Sequence, residues 1–320
     1  MSDALQLPVR IGTRGSPLAL AQAEEVRARL LAAHPGLNAG QIEIQVIRTT
    51  GDAVQDRPLS EIGGKGLFTK EIEEALLEGR IDLAVHSMKD MPTILPDGLA
   101  VICLLEREDP RDALICTKAG TISALPAGAV IGTSSLRRQA QLLNVRPDLR
   151  IVPYRGNVDT RLAKLNAGEV DATLLAAAGL KRLGISGIPA TLIEAGEILP
   201  APAQGAIGIE ARLNDAATAR LLAPVNHSPT GYRIRAERAF LAALDGSCRT
   251  PIAALAEILP DGSLHLRGQI IRPDGVQVLE TVRDGALADA SRMGFDAGIE
   301  LRQRGGDDFF SAPPAAKPGP

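Results

Sequence analysis

Short β-branched runs alternate with longer stretches of helical periodicity along the first two thirds of the chain. PVRIGT precedes SPLALAQAEEVRARLLAAH, and QIEIQVIRTT is followed further on by FTKEIEEALLEGRIDLAVH. The first helix is predicted to begin at about Pro17 with Ser16 as its N-cap, and TKEIEEALLEGR is predicted to end at Gly79. Strand–helix–strand alternation predicts parallel sheets that are covered by helices.

The same alternation begins again after EREDPRD, near residue 106. ALICT, AVIGTS, LRIVPYRG and ATLLAA are predicted strands, and SSLRRQAQLLNV is a predicted helix between them. From about residue 224 the pattern changes, because helical RIRAERAFLAAL precedes the hairpin-like SLHLRGQIIRPDGVQVLETV. The chain therefore predicts two α/β blocks and a small α+β domain, followed by a proline-rich ending that is expected to be disordered.

Composition excludes some classes of function. The residues are 45% apolar and 23% charged, which is typical of soluble globular proteins. A chain of 320 residues is long enough for two or three domains. Aromatic residues make up 2% and the net charge is −3, so neither a base-stacking surface nor a general basic field for nucleic acid is expected. Without a visible secretory signal or a membrane-length apolar run, the expected location is the cytoplasm.

The three cysteines do not form a disulfide framework or a zinc pattern. Cys103 and Cys116 lie in apolar, strand-like runs and are expected to be small buried side chains. Cys248 lies instead in the polar turn LDGSCRTP, which raises the question of a chemical role.

Two polar segments lie where ligands bind in open sheets. AVHSMKDMP follows a predicted strand, so Lys89 and Asp90 are candidates, although a solvated turn is the more common explanation and His86 is more often structural. GTSSLRRQAQL combines a glycine, small hydroxyl residues and a helix start, which suits an anion. Arg137 and Arg138 are adjacent there and diverge by about 100° on a regular helix, so an exposed basic patch is the alternative.

Further arginines occur at comparable places. Arg155 and Arg161 flank the Gly-Asn turn of PYRGNVDTRLAKL, Arg14 follows a predicted strand, and Arg182 ends AAGLKR. Each of them alone is consistent with a surface residue. Because guanidinium groups are suited to bidentate carboxylate binding, the set as a whole predicts a ligand with several carboxylates.

Eight segments, in order, resemble the porphobilinogen deaminase family: RIGTRGSPLALAQA, GGKGLFTKEIE, AVHSMKDMP, GTSSLRRQAQL, YRGNVDTRL, AAGLKRL, PAQGAIGIE and GSCRTPIA. They extend from about residue 10 to the mid-250s. The resemblance implies an α/β fold with two periplasmic-binding-protein-like domains and a smaller α+β C-terminal domain. The implied division is 8–105 with 200–222, then 106–199, then 223–311, with 312–320 as a disordered tail.

The family joins four porphobilinogen molecules head to tail, releases four ammonia, and frees linear hydroxymethylbilane by hydrolysis. The resemblance implies a dipyrromethane cofactor that is bound through a thioether to Cys248, and it makes Asp90 the catalytic carboxylate. A carboxylate there offsets the positive charge that loss of ammonia leaves on the pyrrole, orients the reacting rings, and can accept the proton released when they join.

The resemblance also implies a set of residues that bind the carboxylates of cofactor and substrate. They are Arg14, Ser16, Lys65, Lys89, Thr133, Ser134, Ser135, Arg137, Arg138, Arg155, Arg161, Arg182 and Gln204. No metal is implied. The chain departs from the commonest family pattern at Glu61, where lysine is frequent, and at Ser247, where glycine is usual. These departures bring into question one contact to the growing chain and the mobility of the cysteine loop.

Two other classes of protein stay open at this point. A cytoplasmic, non-catalytic binder of polycarboxylates on the same fold explains the arginines but gives Asp90 and Cys248 no role. A hydrolase with Cys248 as its nucleophile needs a base beside the thiol, and His227 is the nearest histidine in the sequence. The resemblance favours the transferase, acting as a monomer on a small-molecule substrate, without nucleic-acid or membrane partners.

Overall fold

The computed structural model describes residues 5–53, 68–246 and 250–310. These residues form two compact units. The first extends to Asp109 and adds Ala178–Ile185 and Gln204–Tyr232. The second contains Pro110–Ala177, Ser186–Ala203 and the described residues from Arg233 onward.

The helices are α1 Pro17–Ala33, α2 Thr50–Ala53, α3 Lys70–Leu77, α4 Leu136–Val145, α5 Val158–Asn166, α6 Ala177–Arg182, α7 Ala216–Leu222, α8 Ser228–Ala243 and α9 Ala290–Gly305. The strands are β1 Val9–Thr13, β2 Ile42–Val46, β3 Leu83–Ser87, β4 Leu99–Leu104, β5 Asp112–Ile115, β6 Val130–Gly132, β7 Arg150–Val152, β8 Ala172–Ala176, β9 Ala190–Leu192, β10 Ile207–Arg212, β11 Ile252–Ile258, β12 Leu264–Ile271 and β13 Val278–Gly285. Within the described ranges, no helix is both long and apolar enough to cross a bilayer.

The first unit is built on a five-stranded sheet in the order β2-β1-β3-β10-β4. Strands β1, β2 and β3 are parallel, and β10 runs antiparallel to both of its neighbours. Helix α1 begins as predicted, since the Ser16 hydroxyl accepts a hydrogen bond from the amide of Ala19 and Pro17 is the first helical residue. Its buried residues Val26 and Leu30 pack with apolar residues of β1, β2 and β3.

The second unit contains two sheets. One has the order β7-β6-β8-β5-β9, with β6 parallel to both β7 and β8, and β5 antiparallel to both β8 and β9. The other is the antiparallel sheet β11-β12-β13, which includes the predicted hairpin of β12 and β13. Residues of α8 and α9, among them Phe240 and Leu301, pack against β11 and β12 in a core of their own.

The predicted α/β fold class is confirmed: two five-stranded sheets with their helices are accompanied by a smaller α+β part. The sequence predicted parallel sheets, but both sheets are mixed. Strand β10 in the first sheet and strand β5 in the second run antiparallel to their neighbours. Strand β10 comes from more than a hundred residues beyond β3 along the chain, and such long-range pairing leaves no periodicity in the local sequence.

Candidate active site

Strand β3 ends in a short turn that carries two of the predicted site residues. The strand is buried through His86, and Met88 holds the following 3-10 helix, Met88–Asp90, against the core. Asp90 is therefore exposed at the end of the turn. Because β1 and β3 are parallel, their carboxyl ends lie at the same edge of the sheet, where Arg14 and Ser16 follow β1.

Arg14, Ser16 and Asp90 line one small cavity of about 50 Å³ in the first unit. The carbon at the centre of the Arg14 guanidinium lies 4.0 Å from the centre of the Phe68 ring, which also lines the cavity. The other lining residues are Leu18, Ala19, Gln22, Thr69, Val85, His86, Ser87 and Met91. The structure thus brings the predicted site residues Arg14, Ser16 and Asp90 together around one cavity, with an aromatic face beside the Arg14 guanidinium.

His86 is held beside this cavity by a buried acid. Its Nε2 lies 3.1 Å from Glu210 Oε2, and both side chains are buried, which agrees with the structural interpretation of this histidine. Glu73 is buried nearby, and its pKa is raised by burial and by the charge of Glu210. The buried acids Glu73 and Glu210 were not anticipated from the sequence.

Arg182 and Gln204 also lie in the first unit but are not among the residues that line the Asp90 cavity. Arg182 donates from Nε to Glu25 Oε2 at 3.1 Å and from Nη2 to the carbonyl of Gly205 at 3.0 Å. Gln204 is buried, and its backbone carbonyl accepts a hydrogen bond from Arg107 at 2.9 Å. Lys89 is half-buried beside Asp90 in the turn.

In the second unit, the loop before α4 is organised by its own hydroxyl groups. Ser135 caps the helix by accepting from the amide of Arg138, and Thr133 Oγ1 accepts from the amide of Ser135 at 3.2 Å. Ser134 Oγ accepts from the amide of Tyr154 at 2.9 Å. The three hydroxyls that the sequence suggested as ligand contacts therefore also hold the loop in place.

Arg137 and Arg138 are buried and converge on Asp112, which is fully buried at the start of β5. Arg138 forms a fork, from Nε to Asp112 Oδ2 at 3.2 Å and from Nη2 to Oδ1 at 2.7 Å. Arg137 Nη2 donates to Oδ2 at 2.7 Å. Burial by itself raises the pKa of Asp112, but the charges and hydrogen bonds of the two arginines outweigh burial and hold the pKa well below its usual range.

Arg155 and Arg161 complete a cationic cluster around this loop. Arg161 donates from Nε to the carbonyl of Gly156 at 2.9 Å, and the Tyr154 hydroxyl donates to the carbonyl of Arg161 at 2.6 Å. Burial, together with the charges of Arg138 and Arg155, lowers the pKa of Arg161 to about 10. Arg138 and Arg155 are therefore close enough to Arg161 to disfavour its charged form, and an anionic ligand would relieve that repulsion.

Four residues named from the sequence lie outside the described residues: Lys65, Cys248, Glu61 and Ser247. Cys103 and Cys116 are free and buried, as predicted, and burial raises the pKa of Cys103 to about 12. Asp112 was missed by the sequence analysis. The sequence feature that could have revealed it is an aspartate at the start of the otherwise apolar strand DALI. An unpaired charge at such a position would be costly. Among the described residues, no group of three or more His, Cys, Asp and Glu side chains is placed to hold a metal ion.

The fold and these clusters define an α/β protein with one exposed carboxylate in a cavity and a separate arginine cluster suited to carboxylates. Two family models match the chain: "Porphobilinogen deaminase, dipyromethane cofactor binding domain" over residues 9–220, and "Porphobilinogen deaminase, C-terminal domain" over residues 232–303. The chain belongs to the porphobilinogen deaminase family, as its motifs predicted.

Curated relatives agree with the family models. The porphobilinogen deaminase of Paracoccus denitrificans (strain Pd 1222) is 59% identical over 305 residues, which cover 95% of this chain and 97% of that protein. That of Nitrobacter hamburgensis is 56% identical over 94% of this chain and 95% of that protein.

Two binding proteins are among the solved structures that match part of the chain. A periplasmic substrate-binding protein of an ABC transporter from Coxiella burnetii is 18% identical, with a TM-score of 0.40 over 69% of this chain and 93% of that one. The periplasmic aliphatic sulphonate binding protein from Escherichia coli is 16% identical, with a TM-score of 0.40 over 76% and 71% of the two chains.

Proposed function

We propose that Asp90 is the catalytic carboxylate of a hydroxymethylbilane synthase. The chain is a transferase of the family that joins four porphobilinogen molecules head to tail, with release of ammonia, into the linear tetrapyrrole hydroxymethylbilane. The observation that carries the assignment of Asp90 is its exposure in one cavity with Arg14, at the ends of the parallel strands β3 and β1. A non-catalytic binder is not favoured, because curated relatives at 54% identity and above are deaminases.

The chemistry explains why a carboxylate is needed at this position. The aminomethyl group of porphobilinogen is an ammonium ion at neutral pH, so ammonia leaves without an added proton. The substrate is left with a positive charge that is delocalised to the pyrrole nitrogen, and the Asp90 carboxylate offsets this charge. When two rings join, one α-carbon loses its proton, and Asp90 accepts it as a general base.

The arginine cluster fits the implied dipyrromethane. Arg161 is desolvated and is repelled by the charges of Arg138 and Arg155, so a group with several carboxylates compensates both costs. When bound, dipyrromethane supplies the pyrrole ring to which the product chain is joined. Arg137, Arg138, Arg155 and Arg161 hold its carboxylates in this proposal. The remaining contacts are carried over from the family resemblance: Arg14, Ser16, Lys65, Lys89, Thr133, Ser134, Ser135, Arg182 and Gln204.

The proposal keeps the predicted three-domain division, with boundaries 8–105 with 200–222, 106–199 and 223–311. Its support is that strands β1–β4 with β10, β5–β9 and β11–β13 form three separate sheets whose residues fall within these three ranges. The predicted tail, 312–320, lies outside the described residues. We further propose a cytoplasmic monomer without nucleic-acid or membrane partners, which the composition supports.

Cys248 is the proposed attachment site, and the intact mass of the denatured protein tests it. We expect wild-type protein to carry an excess mass of two deaminated porphobilinogen units on the Cys248 peptide. Cys248→Ser should fold but carry no such mass, because an ether to serine does not replace the thioether. The control is Cys116→Ser, which changes a buried free cysteine and should keep the adduct.

The attachment assignment is wrong if Cys248→Ser retains the adduct. A wild-type protein without excess mass is incubated with porphobilinogen and measured again. If no adduct forms then either, the proposed cofactor attachment fails.

A further inference from the structure

Asp112 is a charged side chain that the reaction described above does not use. It opens β5 opposite Ala176 of β8 and has 0% of its surface exposed. A carboxylate in such a place is costly unless it is paired and hydrogen-bonded. The two guanidinium groups of Arg137 and Arg138 supply that compensation.

The contacts around Asp112 determine the orientation of both guanidinium planes. Besides the three hydrogen bonds to Asp112, Arg137 donates from Nη1 to the carbonyl of Leu199 at 2.7 Å. Arg138 donates from Nη1 to the carbonyl of Leu174 in β8 at 2.8 Å. Because each guanidinium is held both by the carboxylate and by a backbone carbonyl of another segment, neither plane can turn without breaking a buried hydrogen bond.

The charges of this group do not cancel. One carboxylate neutralises one of the two guanidinium charges, and the other remains as a net positive charge in a buried setting. Arg138 also contributes to lowering the pKa of Arg161, so the uncompensated charge lies beside a further cation. A carboxylate that approaches this cluster meets a stronger attraction than in water, because the local dielectric constant is lower.

Helix α4 has other attachments that do not involve Asp112. Gln141 donates to the carbonyl of Leu199 at 3.0 Å and accepts from its amide at 2.7 Å. Asn144 donates to the carbonyl of Gly275, at the turn between β12 and β13, at 2.9 Å. Loss of the Asp112 charge should therefore disturb the guanidinium groups more than the position of the helix.

We propose that Asp112 is a positioning residue of the deaminase reaction. It orients the guanidinium groups of Arg137 and Arg138 and, by neutralising only one of them, leaves a positive charge for a carboxylate of the cofactor or the substrate. The inference rests on the proposed function, since it takes Arg137 and Arg138 to be ligand contacts.

Asp112→Asn tests the proposal, because asparagine has the same shape but carries no charge and turns one acceptor into a donor that faces an arginine. We expect the fraction of protein with the covalent adduct, measured by intact mass, to fall. In the loaded fraction we expect KM for porphobilinogen to rise by about tenfold, the size of one lost charge-assisted hydrogen bond, with little change in kcat.

A matched control lies near the other end of α4. Arg146 forms the same kind of fork with Asp148, with Nε–Oδ1 and Nη2–Oδ2 distances of 2.7 Å, but this pair is more exposed. Asp148→Asn removes the same charge without touching Arg137 or Arg138. It should keep the wild-type adduct fraction, KM and kcat.

A second variant keeps the test decisive if Asp112→Asn does not fold. Asp112→Glu retains the charge but moves the carboxylate by one methylene group, so KM should again rise while the protein stays folded. A wild-type KM and adduct fraction in the folded variant would overturn the inference, because a purely structural aspartate affects stability alone. If the wild-type protein itself makes no hydroxymethylbilane from porphobilinogen, the proposed function fails instead.

Discussion

Two aspartates of this protein lie in opposite environments. Asp90 is exposed on a 3-10 turn at the end of β3, in the first unit. Asp112 is fully buried at the start of β5, in the second unit, and accepts hydrogen bonds from two buried arginines. The comparison shows how its surroundings determine what one residue type can do. An exposed carboxylate can meet a ligand and exchange a proton at little cost to folding, whereas a buried and paired one keeps its charge and organises its neighbours.

The largest effect is expected on catalysis at Asp90. Asp90→Asn keeps the shape but removes the charge that offsets the developing cation, so the rate of porphobilinogen consumption should fall by roughly 10²- to 10⁴-fold. The midpoint of urea unfolding should not change, because the side chain is exposed. Asp97→Asn, at another exposed aspartate of the same unit, is the control and should keep the wild-type rate. Unchanged turnover in Asp90→Asn would remove this residue from the mechanism.

The next effect is on stability at Asp112. Removing its charge leaves two buried guanidinium groups without a counter-ion, so Asp112→Asn should lower the free energy of unfolding at pH 7 by about 3–5 kcal/mol. The folded-state pKa lies below the unfolded value of about 3.9, so the stabilisation is fully present above that pH and is lost as the pH falls towards the folded-state pKa.

Urea unfolding of wild type and Asp112→Asn at pH 7, 5 and 3.5 measures this dependence. The difference in free energy of unfolding between the two proteins should be the same at pH 7 and 5. It should begin to decrease only below about pH 4. A difference that already disappears between pH 7 and 5 would contradict the depressed pKa and, with it, the contrast with Asp90.

The smallest effect is expected at Arg161. A substitution there tests whether this arginine of the cluster contributes to ligand binding or to folding. Burial and the charge of Arg138 already disfavour the charged form of Arg161. Arg161→Gln should therefore leave the melting temperature of the protein without added substrate unchanged or slightly higher, while KM rises by about tenfold. Arg150→Gln, at an exposed arginine of β7, is the control. A lower melting temperature with a wild-type KM would make Arg161 structural.

Much of the architecture could be predicted from short stretches of the sequence. Local periodicity and capping signals predicted α1 from Pro17, an end of α3 at Gly79, which is two residues past its last helical residue, and the hairpin of β12 and β13. These features depend on neighbours along the chain. Ordered motifs identified the family and the candidate Asp90 for the same reason. Each motif is a short continuous segment whose residues can be compared one by one.

The way in which distant segments combine became visible only in the folded chain. Arg137 and Arg138, which should diverge on a regular helix, both reach Asp112, which is 25 and 26 positions away in the sequence. Strand β10 enters the first sheet between β3 and β4, although it follows both by about a hundred residues. Such pairings form because buried charges need a counter-charge and the backbone groups of a strand need hydrogen-bond partners. The partners come from distant parts of the chain, so no local sequence pattern predicts them.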